Sequence, residues 1–300
     1  MRSDVLAAHG VGAQDKLGEG GESEVYALDP ERVLRLHRQQ SAAYVRGIGA
    51  LYDDLDREAV PFALPHVLEV HQDGDVSWSI ERRLPGRPLD ALLPVLRGED
   101  RRRALTAYVD GAAAFGRVGL PSGWGDGYGE LCTAEALRAS RWGDLLAERL
   151  RLQRDRARPL LVGDAPDFDR VARHVIAEAR TEPDRPATLV HGDWFPGNVL
   201  MGDDLQVSAA IDLGWLTVVG ADDHDVRTAV LFNEVRPWQQ PGDLRVLTAA
   251  AARHLGSDAV ARIDRSRRYE QLRFAFVTED EHLHRWCVAG LRAVREELGP

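Results

Sequence analysis

The chain has 300 residues, 44% hydrophobic and 29% charged, which is enough apolar content for about two lobes at ~150 residues each. Its 38 basic against 48 acidic side chains leave a formal charge of −10, which disfavours nucleic acid or an anionic membrane as the main partner, because both reward surplus cations. Two cysteines, Cys132 and Cys287, supply no disulfide framework and no zinc spacing, and neither an apolar leader nor a membrane-length run is visible, so a cytoplasmic protein is expected.

In chain order, the first ~80 residues read mostly as strand. A Gly-rich turn over Gly18, Gly20, Gly21 and Ser23 leads into Glu24–Leu28. Arg32–His37 alternates, with Val33, Arg35 and His37 on one face and Leu34 and Leu36 on the other. Ser41–Asp56 reads as helix, broken by Pro61 and Pro65; Val67–Val70 and Val76–Arg82 read as strands about the Asp73-Gly74 turn. Leu84-Pro85-Gly86-Arg87-Pro88 is the boundary candidate, dividing residues 1–83 from residues 84–300. Helices are expected over about 100–118, 133–155 and 167–180, the last capped by Asp167. Short strands and turns fill 188–216, with Val199–Met201 and Val207–Ile211 as hairpin arms, and helix resumes from about 222.

Polar residues concentrate between His191 and Asn198 and again at Asp212. Phosphate chemistry with a hard cation needs oxygen ligands, plus a separate carboxylate to orient the attacking hydroxyl. Asp193 supplies that carboxylate. Asn198 and Asp212, brought together by the hairpin, supply an amide and a carboxylate oxygen for Mg2+. No further His or Cys stands at ligand spacing, so His191 reads as a residue that holds the loop rather than a metal ligand.

His191-x-Asp193-x4-Asn198, followed by Ile211-Asp212, resembles the catalytic loop and metal segment of the aminoglycoside phosphotransferase family, and more distantly the protein kinases. Gly192 and Leu213-Gly214 stand where protein kinases usually carry Arg and Phe-Gly. Gly18-x-Gly20-x-x-Ser23-x-Val25 resembles the nucleotide-covering loop, and Ile80–Gly86 the hinge between lobes. The resemblance implies an α+β, bilobal protein-kinase-like fold: a β-rich nucleotide lobe and a larger, mostly helical lobe carrying catalysis and acceptor. It implies a kinase of a small-molecule hydroxyl using ATP or GTP. Asp193 would orient the acceptor, Asn198 and Asp212 would hold Mg2+, and Asp225 would serve as a structural aspartate. Gly18, Gly20, Ser23, Val25, Val33, Arg35, Leu200 and Ile211 would surround the nucleotide, with backbone groups near Glu81 and Arg83 reading the base edge. Lys16 is the sole lysine, so the phosphate cation that the resemblance implies is an arginine or a histidine, and Arg35, sharing the face of Val33, is the choice. The helix after it lacks the glutamate that usually pairs with this cation; either Asp53, Asp54 or Glu58 substitutes, or the nucleotide alone positions Arg35.

The acceptor class stays open. Antibiotic inactivation, on an aminoglycoside or another cationic or glycosidic natural product, leads; a fructosamine- or homoserine-kinase-like metabolite kinase and a nucleotide-binding pseudokinase are the alternatives. A cationic acceptor needs carboxylates, with Asp126, Glu130, Asp222, Asp223, Glu234, Glu279, Asp280 and Glu281 as candidates. Trp124, Tyr128, Trp194, Trp215 and Trp286 could instead form a stacking wall, Trp194 and Trp215 being favoured by their closeness to Asp193 and Asp212.

Overall fold

The computed structural model describes residues 2–20, 22–38, 40–55, 59–131, 136–161, 165 and 167–299; Gly21 of the Gly-rich turn, Glu58, Cys132 and the start expected for the 133–155 helix lie outside them. A first helix, α1 (Arg2–Ala8), leads into β1 (Lys16–Glu19), β2 (Ser23–Ala27), β3 (Arg32–His37), α2 (Ala42–Asp54), β4 (Val67–Asp73) and β5 (Val76–Arg82). Then come β6 (Arg87–Pro88), α3 (Leu89–Leu92), α4 (Gly98–Phe115), β7 (Tyr128–Glu130), β8 (Arg138–Ala139), α5 (Trp142–Leu161) and α6 (Phe168–Arg180). The chain continues through β9 (Ala187–Val190), β10 (Val199–Met201), β11 (Val207–Ala210) and β12 (Val218–Ala221), and ends in α7 (His224–Leu231), α8 (Asp243–Leu255), α9 (Ala259–Arg273) and α10 (Glu281–Leu298). The expected α+β class is observed, a β-rich first part followed by a mainly helical one.

The first part is a five-stranded antiparallel sheet in the order β1-β2-β3-β5-β4. Alternation along β3 decides its two faces. Leu34 and Leu36 join Tyr26, Ile80 and Val76 in a cluster closed by Val5 of α1, a helix the sequence reading did not expect. Val33 and Arg35 point the other way; Val25, Arg35 and Ser79 stand in one cross-strand row, and Ala27, Val33 and Glu81 in the next.

Helix α2 starts at Ser41, whose hydroxyl accepts the Tyr44 N–H at 3.2 Å. Its buried stripe, Ile48, Leu51 and Tyr52, belongs to the same core cluster as α4, α7 and α8. The Tyr52 hydroxyl donates to the Leu213 carbonyl at 3.0 Å, tying this helix to the segment that follows Asp212.

Two small sheets place the polar loop. One has the order β11-β10-β6, and the other β8-β7-β12-β9. In the second, Val218 lies opposite both Val190 and Glu130, so the loop after β9 leaves from the Val218 end of β12. Strand β8, paired with β7, occupies residues expected as helix, so α5 begins only at Trp142. Asp167 precedes α6 in a left-handed conformation with no capping bond from its side chain; its carboxylate pairs with Arg295 at 2.9 Å instead.

Candidate active site

The loop from His191 to Asn198 is held from below by one buried carboxylate. Asp225, in the first turn of α7, accepts the His191 N–H at 2.7 Å and the Gly192 N–H at 3.0 Å. Burial pushes its pKa up, and His191 and the two N–H groups oppose that rise. The His191 ring has a defined tautomer: Nδ1 accepts the Asp193 N–H at 3.3 Å, so Nε2 carries the proton donated to the Ile211 carbonyl at 2.9 Å. Burial also lowers its pKa, which keeps the ring neutral. It therefore spans the loop and the Asp212 segment as an uncharged strut. Gly192 adopts φ +77°, and a Cβ there would sit 2.1 Å from the Leu216 carbonyl oxygen, so only glycine fits.

Asn198 Nδ2 donates to both the carboxylate and the backbone carbonyl of Asp193, each at 3.0 Å. This turns the amide oxygen away from Asp193. Across the β10–β11 hairpin, Ile211 N–H bonds to the Asn198 carbonyl at 2.9 Å, which makes Asp212 the neighbour of Asn198. Asp212 is half exposed and stands at φ +69°, a strained conformation for a non-glycine residue at the end of the hairpin. A free amide oxygen and an accessible carboxylate form a donor set suited to a hard divalent cation. No group of three or more His, Cys, Asp or Glu side chains able to hold a metal occurs among the described residues. The Asp193 carboxyl is raised to about 6, mainly by burial, with Arg273 as the chief opposing influence. Arg273 donates to the Gly192 carbonyl and pairs with Glu270 at 3.0 Å, so it braces the loop from α9.

Above this loop, Arg35 reaches three partners. Its Nη1 donates to Ser23 Oγ at 3.1 Å and to Asp212 Oδ1 at 3.1 Å, and its Nε lies 3.1 Å from Glu81 Oε1. The neighbouring carboxylates raise the guanidinium pKa against the cost of burial, so it stays charged. The acids beside Arg35 are thus Glu81 of β5 and Asp212, and neither Asp53 nor Asp54. Asp53 faces His66 at 3.2 Å, Asp54 holds the Ser122 hydroxyl at 2.6 Å, and Glu58 lies outside the described residues. Glu81 is correspondingly engaged through its side chain, and the Arg83 N–H, expected at a base edge, is spent on the Glu31 carbonyl at 2.7 Å. Gly18 and Gly20 are exposed with open space where a Cβ would project, and the Gly20 N–H closes the turn on the Ser23 carbonyl at 2.9 Å. Val25 and Val33 share the Arg35 face of the sheet, while Leu200 and Ile211 stand on the opposing hairpin. A cavity of about 30 Å³ lies between Arg35, Tyr52 and Asp212.

The acceptor-side candidates stand in different surroundings. Trp194 is fully buried: its indole donates to the Tyr108 carbonyl at 3.1 Å and its ring meets His191 edge-on, so it anchors the loop from within the core and cannot line a cleft. Asp126 lies beyond the Tyr128 end of β7, which runs with the Asp222 end of β12, away from the end where the catalytic loop departs. Glu279 is exposed and accepts the Thr278 N–H at 3.0 Å. Asp280, by contrast, caps α10 and pairs with Arg236 at 2.6 Å, and Arg236 lies 4.7 Å over the Phe195 ring of the loop. Trp215 is partly buried and packs near Phe276, ring centres 6.5 Å apart. The sequence reading missed Arg236, Arg273 and the Glu81 side chain. Glu81 had a signal, the polar row Ser77, Ser79, Glu81 alternating with Trp78 and Ile80; the two arginines sit in chain segments with no local pattern.

A β-rich sheet carrying a buried cation, set over a loop that gathers two carboxylates and an amide, defines a phosphoryl-transfer enzyme of the kinase-like fold. The family model for the phosphotransferase enzyme family matches residues 15–257, and the chain belongs to that family. Solved structures share the fold at low identity. The GDP and kanamycin complex of APH(2")-IIia superposes with TM-score 0.62 at 13% identity, covering 99% of this chain and 98% of that one. The gentamicin complex of APH(2")-IIa gives 0.64 at 12%, covering 97% and 95%. The macrolide 2'-phosphotransferase MphH from Brachybacterium faecium gives 0.56 at 16%, covering 96% of each. No curated protein sequence matches the chain. No described helix is long and apolar enough to cross a membrane.

Proposed function

We propose that the protein transfers the terminal phosphate of ATP or GTP to a hydroxyl of a small glycosidic natural product, and so inactivates an antibiotic of that kind. The observation that carries this reading is the meeting of Asp193, Asn198 and Asp212, with Asn198 bonded to the Asp193 carboxylate at 3.0 Å. Neighbours of the same fold include complexes with nucleotides and with aminoglycosides, and a macrolide phosphotransferase.

Asp193 accepts a hydrogen bond from the acceptor hydroxyl and aligns its oxygen with the phosphorus. Asn198 keeps that carboxylate in one orientation. The Asn198 amide oxygen and the Asp212 carboxylate would hold a divalent cation such as Mg2+, which would supply neutralisation of phosphate charge. Arg35 holds phosphate oxygens through two N–H groups, and Glu81 fixes the guanidinium in place. Asp212 pairs with Arg35 at 3.1 Å, and nucleotide entry exchanges that carboxylate for a phosphate. The residues up to 83 form the nucleotide-covering lobe, and the rest form the lobe that carries acceptor and catalytic loop.

The test is radiolabelled phosphate transfer from ATP and GTP to a panel of hydroxylated antibiotics and metabolites. Asp193→Ala is expected to abolish transfer while leaving nucleotide affinity within about threefold. Undiminished turnover in that variant refutes the assignment.

A further inference from the structure

The acidic residues that could receive a cationic acceptor are, with few exceptions, already paired. Glu130 meets Arg149 at 3.1 Å, Asp222 meets Arg185 at 2.6 Å, and Asp223 meets Arg227 at 3.1 Å. Glu234 takes Arg267 at 2.7 Å and the Trp286 indole at 3.3 Å. Beside the catalytic loop, Arg236 does the same work: it pairs with Asp280 at 2.6 Å. The Arg236 guanidinium rests on Phe195, two residues from Asp193, with the Trp238 ring 6.0 Å away, and it is still partly exposed. The wall beside the loop is therefore aromatic, and its Asp280 carboxylate is already neutralised by an arginine.

We propose that Arg236 is a specificity-determining residue that biases this enzyme toward uncharged acceptors, neutral glycosides with a flat or apolar body, and against polycations. A polycation approaching Asp193 meets the Arg236 charge and finds Asp280 already engaged. A neutral sugar or aromatic ring meets no such penalty at this aromatic wall. The inference rests on the kinase reading above and narrows its acceptor class.

The test measures dissociation constants for kanamycin and for p-nitrophenyl glucoside, as polycationic and neutral probes, on the full chain with a non-hydrolysable ATP analogue. Arg236→Ala removes the cation and frees the Asp280 carboxylate, and it is expected to bind kanamycin at least tenfold more tightly than the unaltered chain, with the gain lost at high salt. The glucoside constant is expected to stay level or weaken. Arg236→Lys keeps the charge and is expected to leave kanamycin weak. Asp280→Asn, which leaves Arg236 without that partner, is expected to weaken kanamycin further, and it decides the matter if Arg236→Ala does not fold. Kanamycin bound more tightly than the glucoside by the unaltered chain, or no gain in Arg236→Ala, overturns the proposal. Loss of all Asp193-dependent phosphate transfer would instead sink the kinase reading, and the binding ratios report separately from that assay.

Discussion

Replacing Glu81 by Gln tests the pairing that organises the cleft. The substitution keeps the shape and an acceptor for the Ser79 hydroxyl, now 2.8 Å from Oε1, but removes the charge 3.1 Å from Arg35 Nε. Both side chains are largely buried, at 15% and 9% exposure, so the pair belongs to the class in which removing one partner costs about 3–5 kcal/mol. Arg35 retains Asp212 and Ser23, which reduces the loss to about 1–2 kcal/mol, or a fall of roughly 2–6 °C in Tm for a chain of this size. Nucleotide affinity should drop by about tenfold, because an unanchored guanidinium must be ordered by the phosphates at the moment of binding. Thermal unfolding and nucleotide titration read the two effects. Asp53→Asn is the control, since its carboxylate faces only His66 near the surface and should stay within about 0.5 kcal/mol. A Glu81→Gln protein as stable as the unaltered chain, and as tight for nucleotide, refutes the reasoning; so does a larger effect from Asp53→Asn.

Asp225→Ala removes the acceptor of two backbone N–H bonds under the loop and should cost about 3–5 kcal/mol, visible as a lower denaturation midpoint together with loss of kcat. Trp194→Ala should cost about 3–5 kcal/mol in the same assay while leaving acceptor KM unmoved in whatever protein folds, since the ring lies in the core; a selective KM change would return it to the cleft wall. His224 is buried 3.7 Å from Glu270, and burial, then Arg273, Arg227 and Arg149, hold its pKa well below the usual histidine value. The unfolded chain therefore binds that proton first, so His224 makes stability fall as pH drops below about 6.5, by at most about 1.4 kcal/mol per pH unit. Urea unfolding of His224→Gln should show a shallower decline from pH 6.5 to 5 than the unaltered chain, and parallel curves would exclude this contribution.

The gathering of the loop residues was legible because it is local: His191, Asp193 and Asn198 lie within eight positions, and Asp212 is one hairpin away. The β-rich beginning was legible for the same reason, the two-residue period of β3 separating Leu34 and Leu36 from Arg35. What stayed hidden depends on contacts between distant segments. Glu81 and Arg35 are 46 positions apart and meet only through the β3–β5 register. Arg273 reaches Gly192 from another helix, and Trp194 looked accessible because nothing near it in sequence announces Tyr108 and Phe115 as its packing partners. Strand β8 fell inside an expected helix, since a two-residue strand carries too little alternation to register.

With Arg35 as the buried cation of the cleft, the only ε-amine is Lys16, on the strand that carries Gly18 and within 2.6 Å of Glu19. Nucleotide reagents that acylate a cleft lysine have no target in this enzyme. An amine-reactive fluorophore has one side-chain attachment point, on the edge strand of the five-stranded sheet, and its emission should report any movement of that edge when nucleotide is added.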